Sequence, residues 1–327
     1  MLKQFLPSVL EHSKEAKVYV ADNDSSDDSV AFVRENYPEV SIIQNPDNKG
    51  YSRGYNQALE KIDAKYYVLL NSDVEVTADW LTSPIALMER DLKVAACQPK
   101  ILAQRNKSFF EYAGAAGGFI DKDAFMFCRG RIFNHFEEDK GQYDDEREIF
   151  WASGACLFIR SEAFHAMEGL DEDFFAHMEE IDLCWRMKNL GYKVMYTGAS
   201  TVYHVGGGTL SKTNPRKTFL NFRNNLFLIT KNYYQGPLGL KLFYRLILDG
   251  LAALKFLLDG HAQHSIAIFK AHIAFYKQLS VFMDKRHHIR KDRIHFNPAG
   301  QFKKSIVFRH FLGGVKKFSQ LKPENFN

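Results

Sequence analysis

Short strand-type runs alternate with helical segments through the first hundred residues, and this alternation constrains the fold more than any other feature of the sequence. Predicted helices cover residues 5–12, 29–36 and 51–62, and predicted strands cover residues 17–21, 40–44 and 66–71. Strands that alternate with helices form parallel sheets joined by right-handed crossovers. We therefore predict an α/β fold with a mostly parallel central sheet.

The next hundred residues give a weaker pattern. Residues 101–150 contain Gly114, Gly117 and Gly118 and an acidic stretch, which together predict long loops. A strand over residues 151–160, helices over residues 161–167 and 175–190, and late strands over residues 193–196 and 200–204 follow. Gly191 is placed to end the longer helix.

Charge divides the chain into two parts. Residues 1–210 hold 22 Lys and Arg against 34 Asp and Glu, whereas residues 211–327 hold 21 against 5. We predict an α/β domain over residues 1–210 and a basic, amphipathic helical region over residues 211–327. Basic regions of this kind bind anionic lipid or nucleic acid.

The basic region is predicted to be helical over residues 217–231 and 238–283, with apolar side chains at three-and-four spacing. Asp249 and Lys255 interrupt the apolar run, and no uninterrupted run of about 18 apolar residues exists. This pattern favours helices that lie in the plane of an anionic membrane surface, helped by the basic stretch 285–291. A soluble helical subdomain is the alternative. No nucleic-acid-binding motif accompanies the charge, so we predict no nucleic-acid partner.

The four cysteines form no CxxC pair, and their neighbours are mostly apolar. We interpret them as buried thiols in a reducing compartment rather than as disulfides or metal ligands.

Polar residues follow the predicted strands where open α/β sheets bind ligands. Asp22 and Asn23 end one strand, and the loop after the next carries Asn48, Gly50 and Arg53. A carboxylate at the first position can accept from the ring N–H of a pyrimidine, and the loop can donate to ribose or diphosphate. A turn that caps the next helix is the alternative for Asp22, and a solvated side chain is the alternative for Arg53.

Asn71, Ser72 and Asp73 end the strand at residues 66–71. Asp is a hard oxygen ligand suited to Mg²⁺ or Mn²⁺, which bridge diphosphate oxygens. His204, before a run of three glycines, could add an imidazole ligand. Each alone is more often a cap or a hydrogen-bonded polar residue.

Three carboxylates, Glu179, Glu180 and Asp182, lie within four residues of each other and next to aromatic side chains. Asp182 and Arg186 can pair at i,i+4, and Glu180 then points away from that face. Like charges and apolar surroundings raise the pKa of a carboxyl, which favours a general base. An acidic helix start stabilised by the helix dipole is the alternative.

Together these motifs resemble the GT-A glycosyltransferases of family 2, particularly bacterial rhamnosyltransferase-like members. The matching segments run in the family's order over residues 18–232. They are residues 20–25, 48–56, 69–73, 153–155, 169–175, 179–186 and 203–204.

The resemblance implies an inverting, metal-dependent glycosyltransferase. It assigns the catalytic base to Glu180, the metal to Asp73 and His204, and the nucleotide to Asp22, Asn23, Asn48, Gly50, Arg53, Asn71 and Ser72. It places Trp151, Ser153, Gly154, Glu179, Asp182 and Arg223 on the acceptor side, with Asn224 beside Arg223.

The sequence departs from the family pattern in three places. The resemblance implies a strand and an Asn-rich turn before the first helix, whereas this sequence opens on the helix. A misplaced start codon or a degenerate copy would each account for that. Asn71 replaces a carboxylate of the metal motif, and Glu180 stands where relatives usually carry Asp.

The expected activity is transfer of a sugar, rhamnose being the candidate, from a dTDP- or UDP-linked donor to a lipid-linked or polysaccharide acceptor. The expected location is the cytoplasmic face of the bacterial inner membrane, with the protein held there peripherally. The alternative from another class is a catalytically inactive, membrane-associated scaffold.

Overall fold

The computed structural model describes residues 1–206, 214–292 and 295–327. Its helices are α1 (Leu2–Glu11), α2 (Ser29–Asn36), α3 (Tyr51–Leu59), α4 (Thr82–Arg90), α5 (Ser161–Ala166), α6 (Glu179–Asn189), α7 (Pro215–Asn232), α8 (Leu238–Leu258), α9 (Ala262–Asp292) and α10 (Ile306–Phe311). Its strands are β1 (Tyr19–Asp22), β2 (Ser41–Gln44), β3 (Tyr66–Leu70), β4 (Val74–Val76), β5 (Val94–Ala103), β6 (Asn106–Phe110), β7 (Gly118–Asp121), β8 (Met126–Cys128), β9 (Arg131–Ile132), β10 (His135–Phe136), β11 (Glu146–Ile149), β12 (Cys156–Arg160), β13 (Lys193–His204) and β14 (Gln301–Phe302).

A seven-stranded sheet forms the centre of the molecule, with the order β11-β13-β5-β12-β3 and with β4 and β6 added beside β13 and β5. The strands β3, β5 and β13 point the same way, whereas β12 runs antiparallel between β3 and β5. The predicted α/β fold is confirmed, with β3, β5 and β13 as the parallel strands of its central sheet. Strand β13 joins the two late strands predicted over residues 193–204 into one, with a shift in register between Thr197 and Thr201.

The first two strands form a sheet of their own. β1 and β2 pair in parallel, and the described residues show no ladder between them and the seven-stranded sheet. A small apolar cluster that includes Leu6, Val33 and Val40 packs α1 and α2 against this pair. The ends of β1 and β2 therefore lie side by side, which brings together the polar residues that follow each strand.

Residues 101–150 are not the long loops that their glycines predicted. They contribute most of a second, five-stranded sheet with the order β10-β9-β8-β7-β14. These strands are two to four residues long, too short for a side-chain alternation to be recognised in the sequence. Phe119 and Phe127 pack there against Phe318 and Phe326, so the chain's last residues complete this sheet's core.

The C-terminal helices share the core of the sheet. One continuous hydrophobic cluster contains Trp185 of α6, Phe227 of α7 and Phe282 of α9, and the rings of Phe227 and Phe282 stack at 3.8 Å. The helical prediction over residues 238–283 is met by two helices, which separate at Gly260, where φ is +81°. The predicted boundary at residue 210 falls outside the described residues.

Two further sequence expectations can be compared with the structure. All four cysteines are buried and unpaired, as predicted. Among the described residues, none of the helices is long and apolar enough to cross a membrane.

Candidate active site

Asp73 and His204 lie side by side at the end of the central sheet. Asp73 occupies the turn between β3 and β4, and His204 ends β13, whose last residues pair with β4. The backbone N–H of Val205 donates to the Asp73 carbonyl at 3.1 Å, which fixes the two segments together. As a result, His204 Nε2 lies 3.2 Å from Asp73 Oδ1, and both side chains are largely buried.

Glu111 lies on the side of the His204 ring away from Asp73, and no sequence motif marks it. Its Oε2 is 3.4 Å from His204 Nδ1 and accepts from the backbone N–H of Ala113. A carboxylate that accepts from one ring nitrogen sets the tautomer and leaves the other nitrogen available as a ligand. Glu111 follows β6 with no motif around it, so only the fold reveals its place.

The two acidic groups control the charge of the histidine. Burial alone would lower the pKa of His204, but hydrogen bonds and the charges of Asp73 and Glu111 raise it to about 9. Burial would likewise raise the pKa of Asp73, but the hydrogen bond and charge of His204 outweigh burial and lower it.

The donor set fits a divalent cation that also binds a diphosphate. Asp73 supplies a carboxylate oxygen and His204 a ring nitrogen on the side turned toward it, and these ligand types suit Mn²⁺ and Mg²⁺. Among the described residues, no group of three or more His, Cys, Asp or Glu is arranged to hold a metal by itself. A cation at this pair would need further ligands, which the oxygens of a diphosphate could supply.

The predicted nucleotide-binding residues form one hydrogen-bonded group at the ends of β1 and β2. The Asn23 amide donates to Asn48 Oδ1 and to the Gly50 carbonyl, both at 3.1 Å. Asn45 Nδ2 donates to the Gly54 carbonyl at 3.0 Å, inside the first turns of α3. These contacts make a rigid polar loop next to the helix start.

Gly50 has a steric reason to be glycine. Its φ is +97°, and a Cβ there would lie 2.4 Å from the Phe175 carbonyl oxygen. The backbone N–H of Tyr51 donates to the same oxygen at 2.8 Å. The loop that contains Asn48 and Gly50, here called the nucleotide loop after its predicted role, thus touches the segment that leads into α6.

Three predicted nucleotide contacts have mixed surroundings. Asp22 is buried, and its carboxylate accepts from the backbone N–H of Ser25 at 3.3 Å, as the alternative interpretation of a turn predicted. Arg53 is partly exposed, 3.9 Å from Glu172 and 4.0 Å from Asp47. Ser72 is exposed beside Asp73.

Asn71, another predicted nucleotide contact, lies between His204 and the segment around Gly154. Its side-chain amide nitrogen is 3.5 Å from His204 Nε2, and its backbone N–H donates to the Ala155 carbonyl at 3.0 Å.

Helix α3 connects the nucleotide loop to the rest of the site. The Tyr55 hydroxyl donates to the Leu70 carbonyl at 3.1 Å, at the end of β3. The Tyr51 hydroxyl donates to the Gly154 carbonyl at 2.8 Å, beside the first turn of α6. One helix therefore holds the nucleotide loop, the end of β3 and the segment at Gly154 in fixed relation.

Glu180 lies at the first turn of α6 beside Gly154. A Cβ on Gly154 would be 3.7 Å from Glu180 Cβ and 2.8 Å from the Tyr51 hydroxyl, so glycine leaves room for both side chains. Glu180 is half-buried, and one of its carboxylate oxygens lacks a hydrogen-bond partner in the described structure. An oxygen held in this way can accept a proton from a substrate hydroxyl.

Glu179 and Glu180 differ in their surroundings. Burial and the neighbouring Glu180 hold the pKa of Glu179 well above its usual range. Burial also raises the pKa of Glu180, although backbone hydrogen bonds partly offset this. Burial thus raises the pKa of both carboxyls, and Glu180 is the more exposed of the two.

The segment just before α6 is not helical, although the sequence predicts a helix there. The predicted helix begins at Phe175, whereas α6 begins at Glu179. Phe175, His177 and Met178 all have left-handed backbone conformations, with φ of 64°, 70° and 74°. Such conformations in non-glycine residues cost free energy and persist only where neighbouring contacts impose them.

Arg223 and Asn224 of α7 supply those contacts. The Asn224 amide nitrogen donates to the carbonyls of Phe174, Ala176 and His177 at 3.0, 2.9 and 2.7 Å. Arg223 donates to the Phe174 carbonyl at 3.0 Å, and burial lowers its pKa. The family resemblance places Arg223 on the acceptor side, whereas in the structure both side chains hold the segment that leads to Glu179 and Glu180.

Replacing Asn224 by Ala is expected to lower the free energy of unfolding by roughly 2–4 kcal/mol, because buried carbonyls that lose a donor cost about 1–3 kcal/mol each. Urea denaturation followed by circular dichroism measures this loss. Asn221→Ala, at a half-buried position on the same helix, is the matched control. A loss no larger than that of the control would show that Asn224 does not hold the segment.

Two predicted acceptor contacts are corrected because their side chains are committed to folding. Trp151 is 5% exposed, and its indole N–H donates to the Phe119 carbonyl at 3.0 Å. Asp182 is fully buried, where it accepts from Arg186 and Lys231 at 2.8 Å and from Asn232 at 2.7 Å. The predicted Asp182–Arg186 pair is thereby confirmed, but as a structural contact.

Ser153 is also buried, and its hydroxyl donates to the Ala113 carbonyl at 2.5 Å. This contact joins the segment at Gly154 to the loop that carries Glu111. Of the predicted acceptor set, Gly154 and Glu179 remain next to Glu180. The glycine motif after His204 continues into Gly207 and Gly208, which lie outside the described residues.

The sequence profile of glycosyl transferase family 2 matches residues 1–167, just over half of the chain. The chain therefore belongs to this glycosyltransferase family. A curated relative is the N-acetylglucosaminyl-diphospho-decaprenol L-rhamnosyltransferase of Mycobacterium tuberculosis. It is 25% identical over 222 residues, which cover 62% of this chain and 71% of the relative. Rhamnosyltransferase WbbL of Escherichia coli is 24% identical over 162 residues, which cover 47% of this chain and 60% of WbbL.

Solved structures share the fold at low identity. GalNAc-T7, solved with UDP, GalNAc and Mn²⁺, superimposes with a TM-score of 0.53 and 13% identity, over 70% of this chain and 45% of that one. The mannosyltransferase PcManGT of Pyrobaculum calidifontis, in complex with GDP-Man and Mn²⁺, gives 0.50 and 12%, over 89% and 81%. The predicted GT-A fold is confirmed.

Proposed function

We propose that this chain transfers a sugar, with inversion, from a nucleotide-diphosphate donor to a lipid-linked or polysaccharide acceptor. One observation carries the proposal: Asp73 and His204, from segments far apart in sequence, adjoin at 3.2 Å at the end of the central sheet. Ser153 and Asn71 connect this pair to the segment beside Glu180 through hydrogen bonds to Ala113 and Ala155. These contacts support the proposal that the Asp73–His204 pair and Glu180 belong to one site.

In this proposal Glu180 takes the proton from an acceptor hydroxyl as its oxygen attacks the anomeric carbon of the donor. The new carbon–oxygen bond forms as the bond to the diphosphate breaks, and the electron pair leaves with the diphosphate. A single displacement of this kind inverts the configuration at that carbon. A divalent cation held by Asp73 and His204 would offset the charge that builds on the leaving diphosphate.

The loop around Asn23, Asn48 and Gly50 is proposed to bind the nucleotide, with Asp22 beneath it. Arg53, Asn71 and Ser72 border the same space, and Gly154 and Glu179 border the acceptor hydroxyl. The names of two relatives support rhamnose as the transferred sugar, and the name of the mycobacterial relative supports a lipid-diphosphate-linked acceptor. We propose dTDP or UDP as the nucleotide of the donor. Such an acceptor would place the protein on the inner face of the cytoplasmic membrane, bound there peripherally.

A thermal-shift panel tests donor binding. UDP- and dTDP-linked sugars are added to the full chain with and without Mn²⁺, and a shift is expected for one donor in the presence of the metal. A donor at about 100 times its dissociation constant adds ~2.7 kcal/mol, which raises the melting temperature by a few degrees. If no nucleotide shifts it with either Mn²⁺ or Mg²⁺, the inactive scaffold becomes the better account.

A further inference from the structure

Helix α8 buries the charged pair Arg245 and Asp249 and turns large apolar side chains outward. Arg245 and Asp249 are buried and paired at 2.6 Å. The opposite face exposes apolar side chains at three-and-four spacing, and each is between 47% and 79% exposed: Leu240, Phe243, Ile247, Leu251, Leu254 and Leu258. At 100° per residue these six lie within about 80° of one another, so they form one stripe along the helix.

Helix α9 repeats the pattern over its first half. Ile266, Phe269, Ile273 and Tyr276 are 42–67% exposed at the same spacing, whereas Phe275 on the opposite side is buried. Lys270 and Lys277 are exposed beside this stripe. The two helices contact each other, since the Ser265 hydroxyl donates to the Ala253 carbonyl at 2.7 Å and the rings of Phe256 and His264 stack at 5.0 Å. Their two exposed stripes are here called the α8–α9 face.

Soluble monomeric proteins rarely expose large contiguous apolar patches, so we expect a partner to cover the α8–α9 face. Among the described side chains of α8 and α9, Lys255, Lys270 and Lys277 are exposed, whereas Arg245 is buried against Asp249 and Lys285 is paired with Asp171. Apolar side chains flanked by exposed lysines match the acyl boundary and headgroups of an anionic lipid monolayer.

We propose that the α8–α9 face docks on an anionic lipid surface, with its apolar stripes inserted among the acyl chains and Lys270 and Lys277 at the headgroups. The buried Arg245–Asp249 pair faces the protein core, so the apolar stripe on the other side of α8 faces outward along the length of the helix, which suits a helix that lies in the membrane plane. The α8–α9 face would be the part of the protein that contacts the membrane, and this inference rests on the membrane location proposed above.

Vesicle co-sedimentation tests the contact with the full chain. Binding is expected to vesicles of phosphatidylcholine with about one-third phosphatidylglycerol, and to weaken as salt rises. Phe243→Gln combined with Phe269→Gln is expected to reduce partitioning at least about tenfold, because each ring loses its burial in lipid. Both positions are exposed, so circular dichroism and the melting temperature should stay unchanged.

Phe308→Gln, at an exposed position of α10 outside the α8–α9 face, is the matched control and should bind like the parent chain. The proposal is overturned if the parent chain does not sediment with these vesicles, or if the double variant sediments equally well. It is also overturned if the double substitution instead abolishes a dimer seen by light scattering. Donor binding in the thermal-shift panel reports on the proposed transfer separately, because it needs no lipid.

Discussion

Glu180→Gln is expected to lower the turnover number by about 10²–10⁴-fold and to leave the affinity for the nucleotide donor unchanged. The range is the usual contribution of a positioned general base. Gln keeps the length and shape of Glu180, and it cannot accept the proton. Donor affinity should persist, because the nucleotide loop and the Asp73–His204 pair do not use the Glu180 carboxylate.

Turnover is measured with a fixed donor and acceptor, and donor affinity by calorimetry. Glu162→Gln, the same chemical change at an exposed position of α5, should behave like the parent chain. If Glu180→Gln turns over like the parent chain, Glu180 is not the base.

The pH profile gives an independent measure of the same role. A general base works in its deprotonated form, so turnover should fall as the pH drops through the pKa of Glu180. Burial raises that pKa, which moves the acid limb above the ordinary glutamate value of about 4.3. The neighbouring groups, Glu179 and Tyr51, face Glu180, and burial raises the pKa of each of them as well. An acid limb at the ordinary value, or one that survives in Glu180→Gln, would contradict the assignment.

Asp73→Ala is expected to remove most of the gain in donor affinity that Mn²⁺ provides. Asp73 gives the site its carboxylate ligand, and even the loss of a group behind a metal ligand costs roughly 10–100-fold in metal affinity. We expect at least that loss for Asp73. Donor binding without metal should change little, because the contacts at Asn23, Asn48 and Gly50 remain. Calorimetric titration of the nucleoside diphosphate, with and without Mn²⁺, measures both quantities.

Asp63→Ala is the matched control for this variant, since Asp63 is exposed in the loop before β3. It should keep the full effect of Mn²⁺. A comparison of Asp73→Asn with Asp73→Ala separates charge from shape, because Asn fills the same space without the negative charge. If Asp73→Ala binds the diphosphate with unchanged affinity in Mn²⁺, the ligand role is wrong.

The beginning of α6 shows where sequence reasoning stops. The acidic and aromatic stretch at residues 174–186 predicts a helix that begins at Phe175, because nothing in it breaks a helix. The structure starts the helix at Glu179, since Asn224, about fifty residues further along the chain, holds three carbonyls of the preceding segment. A contact at that separation leaves no local pattern.

The acidic residues near α6 show the same limit. Helical spacing correctly separates Glu180 from the Asp182–Arg186 face, but spacing cannot say which face is buried. Lys231 and Asn232 of α7 decide this by surrounding Asp182, so Glu180 remains beside Gly154. No local pattern marks Glu111 either, because its position depends on strand pairing. It follows β6, which pairs with β5, and β5 pairs with β13, the strand that ends at His204.

The sequence by itself determined the α/β class, the order of the polar strand ends and the helical, basic C-terminal region, because these depend on local apolar spacing and composition. Only the tertiary structure decided which polar residues meet, which are buried in ion pairs, and which side of α8 faces outward. These outcomes depend on contacts between segments distant in sequence, whose free energies no local pattern contains.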